Sequence, residues 1–244
     1  MKSILLAFSM FSRIPVRAEW SEASRRYLYA AFPLVGAALG GVLWLWQALA
    51  DALAVNGLIR AAGMIAAALM FTGGIHLDGF ADVTDALASH ADAEKKRAIL
   101  KDPHTGAFAV MGVCVCLMTS FALLTGVGSL SAGTLTAACA LSRTGSALCS
   151  LCFPAHEGPG LLSGFRVAAD RKRTLWLLGL WAAASAGALI LLAGLAGLLL
   201  TVAAAACCLY TGRMARREFG GMSGDLSGWC VVATEWAMLL ILAL

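Results

Sequence analysis

Three aspartates carry the clearest chemistry in this sequence. Asp78, Asp82 and Asp85 lie in the stretch Gly73-Gly74-Ile75-His76-Leu77-Asp78-Gly79-Phe80-Ala81-Asp82-Val83-Thr84-Asp85. On a helix they point to about 0°, 40° and −20°, at roughly 100° per residue. They therefore share one stripe, spaced about 6 Å and 10.5 Å from the first along the axis. No lysine or arginine falls within a turn of them. Two like charges about 6 Å apart cost on the order of 3 kcal/mol at an effective dielectric near 20. A proton or a cation must relieve that. Hard carboxylate oxygens suit Mg²⁺, which takes one or two carboxylates and fills its other positions with water and phosphate. A bound diphosphate could then be attacked by an alcohol whose proton passes to a carboxylate. Gly79 leaves room beside Asp78 for a bulky ligand. The plainer reading is a solvated acidic helix end with Asp78 as its N-cap.

Other polar groups could serve a phosphorylated substrate. Lys101-Asp102-Pro103-His104-Thr105-Gly106 precedes an apolar run. Asp102 as N-cap and Pro103 as first helical residue would make an ordinary helix start. Lys101, His104 and Gly106 need another reason, and a helix start with nearby cations favours phosphate. Gly220-Gly221-Met222-Ser223-Gly224-Asp225 precedes the last apolar run. Amides in such a turn can cradle an anion, although the ending of a Walker A loop is missing. Arg143 lies inside an apolar run, where its charge must face the protein interior. Glu235 is its candidate partner, and ion pairing and substrate binding are both open to it. Cys149, Cys152 and His156 imitate a metal triad. Pro154 interrupts them and no second CxxC supplies further ligands, so the eight cysteines read as small apolar side chains.

The elements that position these groups are set by composition. Residues of the set AVILMFWYC make up 60% of the 244, and charged residues only 13%. An ordinary soluble domain has roughly a quarter charged residues. Such a chain needs lipid to solvate it, which excludes a soluble, disordered or disulfide-stapled protein. The expected fold is all-α: one polytopic membrane helix bundle over 1–244. Spans are expected at 27–49, 58–74, 107–125, 132–153, 175–193, 197–210 and 226–244. Residues 175–210 form one uncharged stretch, divided here at Gly194-Leu195-Ala196-Gly197, with one long tilted helix as the alternative. Residues 4–11 read as a short interfacial helix, too short an apolar run for a cleaved signal peptide. Gly36 and Gly40 read as close helix packing.

Of the 18 lysines and arginines, 16 fall in four segments: the N-terminal arm and the connections after the second, fourth and sixth spans. With seven spans these all lie on one side, which the positive-inside rule makes cytoplasmic. Chemistry gathered at one interface suits an enzyme using cytosolic substrates. A carrier would place polar groups at mid-depth.

The quoted acidic block, with Leu100–Gly106, Phe11-Ser12-Arg13-Ile14-Pro15, Pro33-Leu34-Val35-Gly36, Ser142-Arg143 and Gly220–Asp225, resembles the cobalamin synthase (adenosylcobinamide-GDP ribazoletransferase) family. The match covers nearly the whole chain in order. It departs at Asp102-Pro103-His104, at Val231-Val232 and near His156. The resemblance implies a late step of cobalamin biosynthesis. Adenosylcobinamide-GDP is joined to α-ribazole or its 5′-phosphate, releasing GMP, with Mg²⁺ as cofactor. It implies a multi-pass protein of the bacterial inner membrane whose active site faces the cytoplasm. On that reading Asp78, Asp82 and Asp85 hold the metal, Asp82 or Asp85 accepts the hydroxyl proton, and His76 is the competing base. Arg13, Lys101, Asp102, His104, Gly106, Arg143, Gly221, Ser223, Gly224 and Asp225 serve the substrates. The partners are those substrates and the lipid bilayer. No nucleic acid is expected, and self-association is left open. The alternatives are a Mg²⁺-dependent phosphotransferase of the CDP-alcohol type, which uses a similar D-G-x-x-x-D arrangement, and a cation transporter built on the acidic stripe.

Overall fold

In a computed structural model, residues 1–155 and 161–244 are described, and among them the chain is helical throughout. The helices are α1 (Lys2–Phe11), α2 (Glu22–Arg25), α3 (Leu28–Ala52), α4 (Gly57–Thr72), α5 (Ile75–Ala88), α6 (Ala93–Ile99), α7 (Ala107–Gly126), α8 (Ala132–Cys152), α9 (Leu161–Ala168), α10 (Arg171–Glu218) and α11 (Gly224–Ala243). Several start at polar residues whose side chains accept from an amide of the first turn. Asn56 accepts from Ile59, Ser131 from Thr134, Asp170 from Arg173 and Ser223 from Leu226. Each cap satisfies an amide that the helix leaves without a partner.

By length and composition, α3, α7, α10 and α11 can each cross a bilayer. The pair α4 and α5 also qualifies, bent by 94° at its break, which makes five. The sequence count of seven is reached only by adding α8 and dividing α10. That division has a structural basis. A straight helix of 48 residues would run about 72 Å, against a bilayer core of about 30 Å. Gly194 breaks it with φ 57° and ψ −125°. A Cβ on Gly197 would then stand 1.9 Å from the Leu189 carbonyl oxygen. Eight residues of straight helix would separate these by about 12 Å, so the chain doubles back and one long tilted helix is excluded.

α8 sits at the centre, with most of its residues buried. Its seam with α3 depends on small residues. A Cβ on Gly36 would stand 2.2 Å from the Cys139 carbonyl oxygen, and one on Gly40 2.5 Å from the Thr136 Cα. The expected packing role of these glycines is met. Cys149 lies in a buried cluster with Met214, Phe219, Met222 and Cys230, and its Sγ lies 3.6 Å from the Met222 sulfur. It is a core side chain. The remaining member of the imitation triad, His156, lies outside the described residues.

The connections sort to two ends. At one end Lys96 pairs with Glu218, Arg97 donates to the Phe219 carbonyl at 3.0 Å, and Arg26 reaches Asp170 at 3.1 Å. Arg166 donates to the Phe153 carbonyl at 2.7 Å. These contacts join the basic segments to one another. At the other end Ser129 Oγ donates to Asp51 at 2.6 Å, and Gln47 exchanges two hydrogen bonds with the backbone of Leu130. A Cβ on Gly133 would touch Leu192, which brings the Gly194 turn to this same end.

Candidate active site

The acidic helix is set at its angle by Gly73 and Gly74. Both adopt left-handed backbone, with φ 67° and 78°, a region that costs other residues roughly 1–2 kcal/mol. The Thr72 hydroxyl accepts from Gly74 N–H at 3.2 Å. Arg13 donates its amide to the Phe71 carbonyl at 2.7 Å and lays its side chain over Gly73, where a Cβ would stand 2.9 Å from Cγ. Arg13 is thus placed at the hinge. The 94° bend turns α5 out of the line of the α4 span.

Helix α5 has two faces. His76, Gly79, Val83 and Ala86 are buried. Asp78 is exposed, and Asp82 and Asp85 are half-buried. The N-cap is Gly74, so Asp78 lies within the first turn and does not cap the helix. Gly79 packs against α11 so closely that a Cβ would stand 2.7 Å from the Asp225 carbonyl oxygen. The space beside Asp78 is therefore filled by α11 and is not a ligand vestibule. The same contact brings Asp225 beside the stripe. Burial, with the charges of Asp78, Asp225 and Asp85, pushes the Asp82 carboxyl up to about 6. Among the described residues no lysine or arginine pairs with Asp78, Asp82, Asp85 or Asp225. Nor do three His, Cys, Asp or Glu side chains there gather closely enough to hold a metal ion by themselves.

Asp85 is drawn aside. Its Oδ1 accepts from the Ala109 amide at 3.3 Å. A Cβ on Gly106 would stand 2.1 and 2.2 Å from its two oxygens. The cap expected from Asp102 is not made. α7 begins at Ala107 with Gly106 as N-cap and no side-chain cap of its own. Asp102 instead accepts from the amide of His104 at 2.9 Å and lies 2.7 Å from its Nδ1. A turn closed so early cannot also reach three residues further on. Lys101 and His104 are exposed on this loop.

The glycine-rich turn is partly spent on the fold. Gly221 donates to the Ala215 carbonyl at 2.9 Å and Met222 to the Pro154 carbonyl at 2.8 Å. Ser223 caps α11 and donates to Asp225 at 3.4 Å. The amides of Gly221 and Met222 are thus engaged within the fold, whereas Gly224 faces open space.

His76 and Arg143 are placed elsewhere. His76 lies about 160° round α5 from Asp78. Its ring packs against Phe11 and Phe32, with centroids 6.1 and 5.6 Å away. Its Nε2 is buried without a partner among the described residues. Arg143 is 1% exposed and pairs with Glu235 as the sequence suggests, while Ser142 Oγ bridges the two at 2.9 and 3.2 Å. His76, Arg143 and Glu235 line a largely apolar cavity of about 220 Å³ inside the bundle, bounded also by Cys116, Cys139 and Trp236. The structure thus separates two groups. Asp78, Asp82 and Asp225 come together on the outer face of α5, and His76 and Arg143 meet beneath it. Asp225 is the member whose place in the acidic cluster sequence spacing could not reveal. It lies 140 residues from Asp85, and only packing unites them.

Comparison with known proteins identifies the family. A family model described as cobalamin-5-phosphate synthase matches residues 3–243. Proteins named adenosylcobinamide-GDP ribazoletransferase are similar along their whole length. The one from Lachnoclostridium phytofermentans is 31% identical, covering 96% of this chain and 90% of its own. That from Pseudomonas aeruginosa is 32% identical, covering 100% and 98%. That from Desulfitobacterium hafniense is 33% identical, covering 98% and 96%. No solved structure matches. With the family model matched over residues 3–243 and relatives above 30% identical along nearly their whole length, the chain belongs to the cobalamin-5-phosphate synthase family.

Proposed function

We propose that this membrane protein transfers the cobinamide-phosphate moiety of adenosylcobinamide-GDP to α-ribazole or α-ribazole 5′-phosphate. GMP leaves, and the product is adenosylcobalamin or its phosphate. Family membership and the relatives' names support the reaction. The observation that carries the site is the acidic face of α5, joined by Asp225 of α11 and paired with no lysine or arginine among the described residues.

The donor set fits Mg²⁺. It consists only of carboxylate oxygens, and burial together with their mutual repulsion already raises Asp82 to about 6. Mg²⁺ requires only one or two protein carboxylates. Two of Asp78, Asp82 and Asp225 would hold it, and it would neutralise the diphosphate and ease departure of GMP. Asp82 is favoured over Asp85 as acceptor of the attacking hydroxyl's proton. The Asp85 carboxylate is engaged with α7. Lys101, His104 and Arg13 are exposed cationic or ionisable groups in the segments flanking α5 and would bind phosphate oxygens. The clustering of the basic connections at one end supports a cytoplasmic site in the inner membrane, with seven crossings.

The test is GMP release by purified protein given adenosylcobinamide-GDP and α-ribazole, with and without Mg²⁺. Asp82→Asn should lower kcat by about 100-fold or more, the usual worth of a general base. Full turnover by that variant, or turnover unaffected by chelator, would remove the proposed site. Turnover of CDP-linked alcohols in place of the cobinamide substrate would move the chain to a different reaction.

A further inference from the structure

Asp85 differs from its neighbours in what it touches. Among the described residues Asp78 and Asp82 have no hydrogen-bond or ion-pair partner in a neighbouring helix, whereas the Asp85 carboxylate crosses from α5 to the first turn of α7. It accepts from the Ala109 amide at 3.3 Å and fills the space that a side chain at Gly106 would need. α7 has no other side-chain cap. The first four amides of a helix lack partners within it and carry partial positive charge, so a carboxylate is favoured there. In most helices the N-cap residue provides that oxygen. Here another helix provides it, and the N-cap is a glycine that lets the carboxylate in.

We infer that Asp85 is a positioning residue of the transferase. It pins the start of α7, and with it the loop bearing Lys101 and His104, to the acidic helix, and it is not a ligand of the metal. The other end of that loop is already fixed. It leaves α6, which is held by the Lys96–Glu218 pair and by Arg97 on the Phe219 carbonyl. With the Asp85 contact both ends of the loop are anchored, one to the end of α10 and one to α5. Gly106 shares the task, because a methyl group there would evict the carboxylate. The inference rests on the reading of α5 as the seat of phosphoryl transfer.

Asparagine separates the two roles of Asp85. It caps helices about as well as aspartate but lacks the charge that a magnesium ligand needs. In the full chain in lipid nanodiscs, Asp85→Asn should keep kcat within about fivefold of wild type, the loss of one charge at a helix start. Its half-saturating Mg²⁺ concentration should not change. Asp85→Ala should raise KM for adenosylcobinamide-GDP about tenfold, as for a lost cap, with kcat little altered. Amide hydrogen exchange over residues 107–110 should quicken in Asp85→Ala and in Gly106→Ala, and return towards wild type in Asp85→Asn. The inference is overturned if Asp85→Asn is as inactive as Asp82→Asn, if it needs far more Mg²⁺, or if exchange at the start of α7 ignores Asp85→Ala. Failure of the wild type to release GMP would instead defeat the functional reading, and the exchange result would still stand on its own.

Discussion

Asp82 is the residue whose protonation reports the site. Its carboxyl is raised to about 6 from an ordinary 3.8 by burial and by the charges of Asp78, Asp225 and Asp85. A raised acid holds its proton more tightly in the folded chain than in the unfolded one. Between about 4 and 6 the folded state therefore binds more protons, and stability falls as pH rises. The penalty is absent below the unfolded value and complete above the folded one. Thermal unfolding of metal-free protein in detergent should show Tm falling from pH 4 to pH 7, with a smaller fall in Asp82→Asn. Mg²⁺ should raise Tm more at pH 7 than at pH 5, because at pH 5 it must displace a proton. Equal stabilisation at both values would contradict a carboxylate site. Gly73 and Gly74 matter at the same scale, since their left-handed backbone turns the stripe away from the α4 axis.

At the scale of elements, the bundle is held around α8 by close backbone approach and by one buried ion pair. Arg143 is almost wholly buried, and Glu235 supplies its counter-charge from α11. Removing one partner of such a pair strands the other charge, at a cost of about 3 kcal/mol or more. Glu235→Gln should therefore lower the apparent Tm clearly, while Arg143→Leu with Glu235→Leu should recover most of the loss. A double variant no more stable than the single would show that the pair contributes packing rather than charge balance. The glycine seam of α3 on α8 works differently. There a methyl group would meet backbone, which has nowhere to move.

The whole molecule is polarised. One end joins the basic segments through side-chain contacts to other loops, and the opposite end is closed by Asp51, Ser129, Gln47 and Leu130. If the basic end faces the cytoplasm, a phosphatase reporter fused after residue 128 should be active outside the inner membrane. One fused after residue 104 should be inactive. The reverse pattern would invert the proposed orientation and put the acidic helix out of reach of cytosolic nucleotides.

Composition and charge placement alone determined that this chain is a helical membrane bundle with its polar chemistry near one interface. Those properties are sums over many residues, and no single contact alters them. The acidic stripe was legible for a related reason: helix periodicity is local, so three aspartates on one face follow from spacing. Packing decided the rest. Only the folded chain shows Asp225 beside Asp78, His76 turned beneath the helix, and the carboxylate of Asp85 taken by α7. Spacing states which residues share a face of one helix; it does not state which other helix that face meets. The caps expected from Asp78 and Asp102 failed on the same ground. A helix start takes whichever oxygen the tertiary structure brings to it, and for α7 that oxygen arrives from elsewhere in the chain.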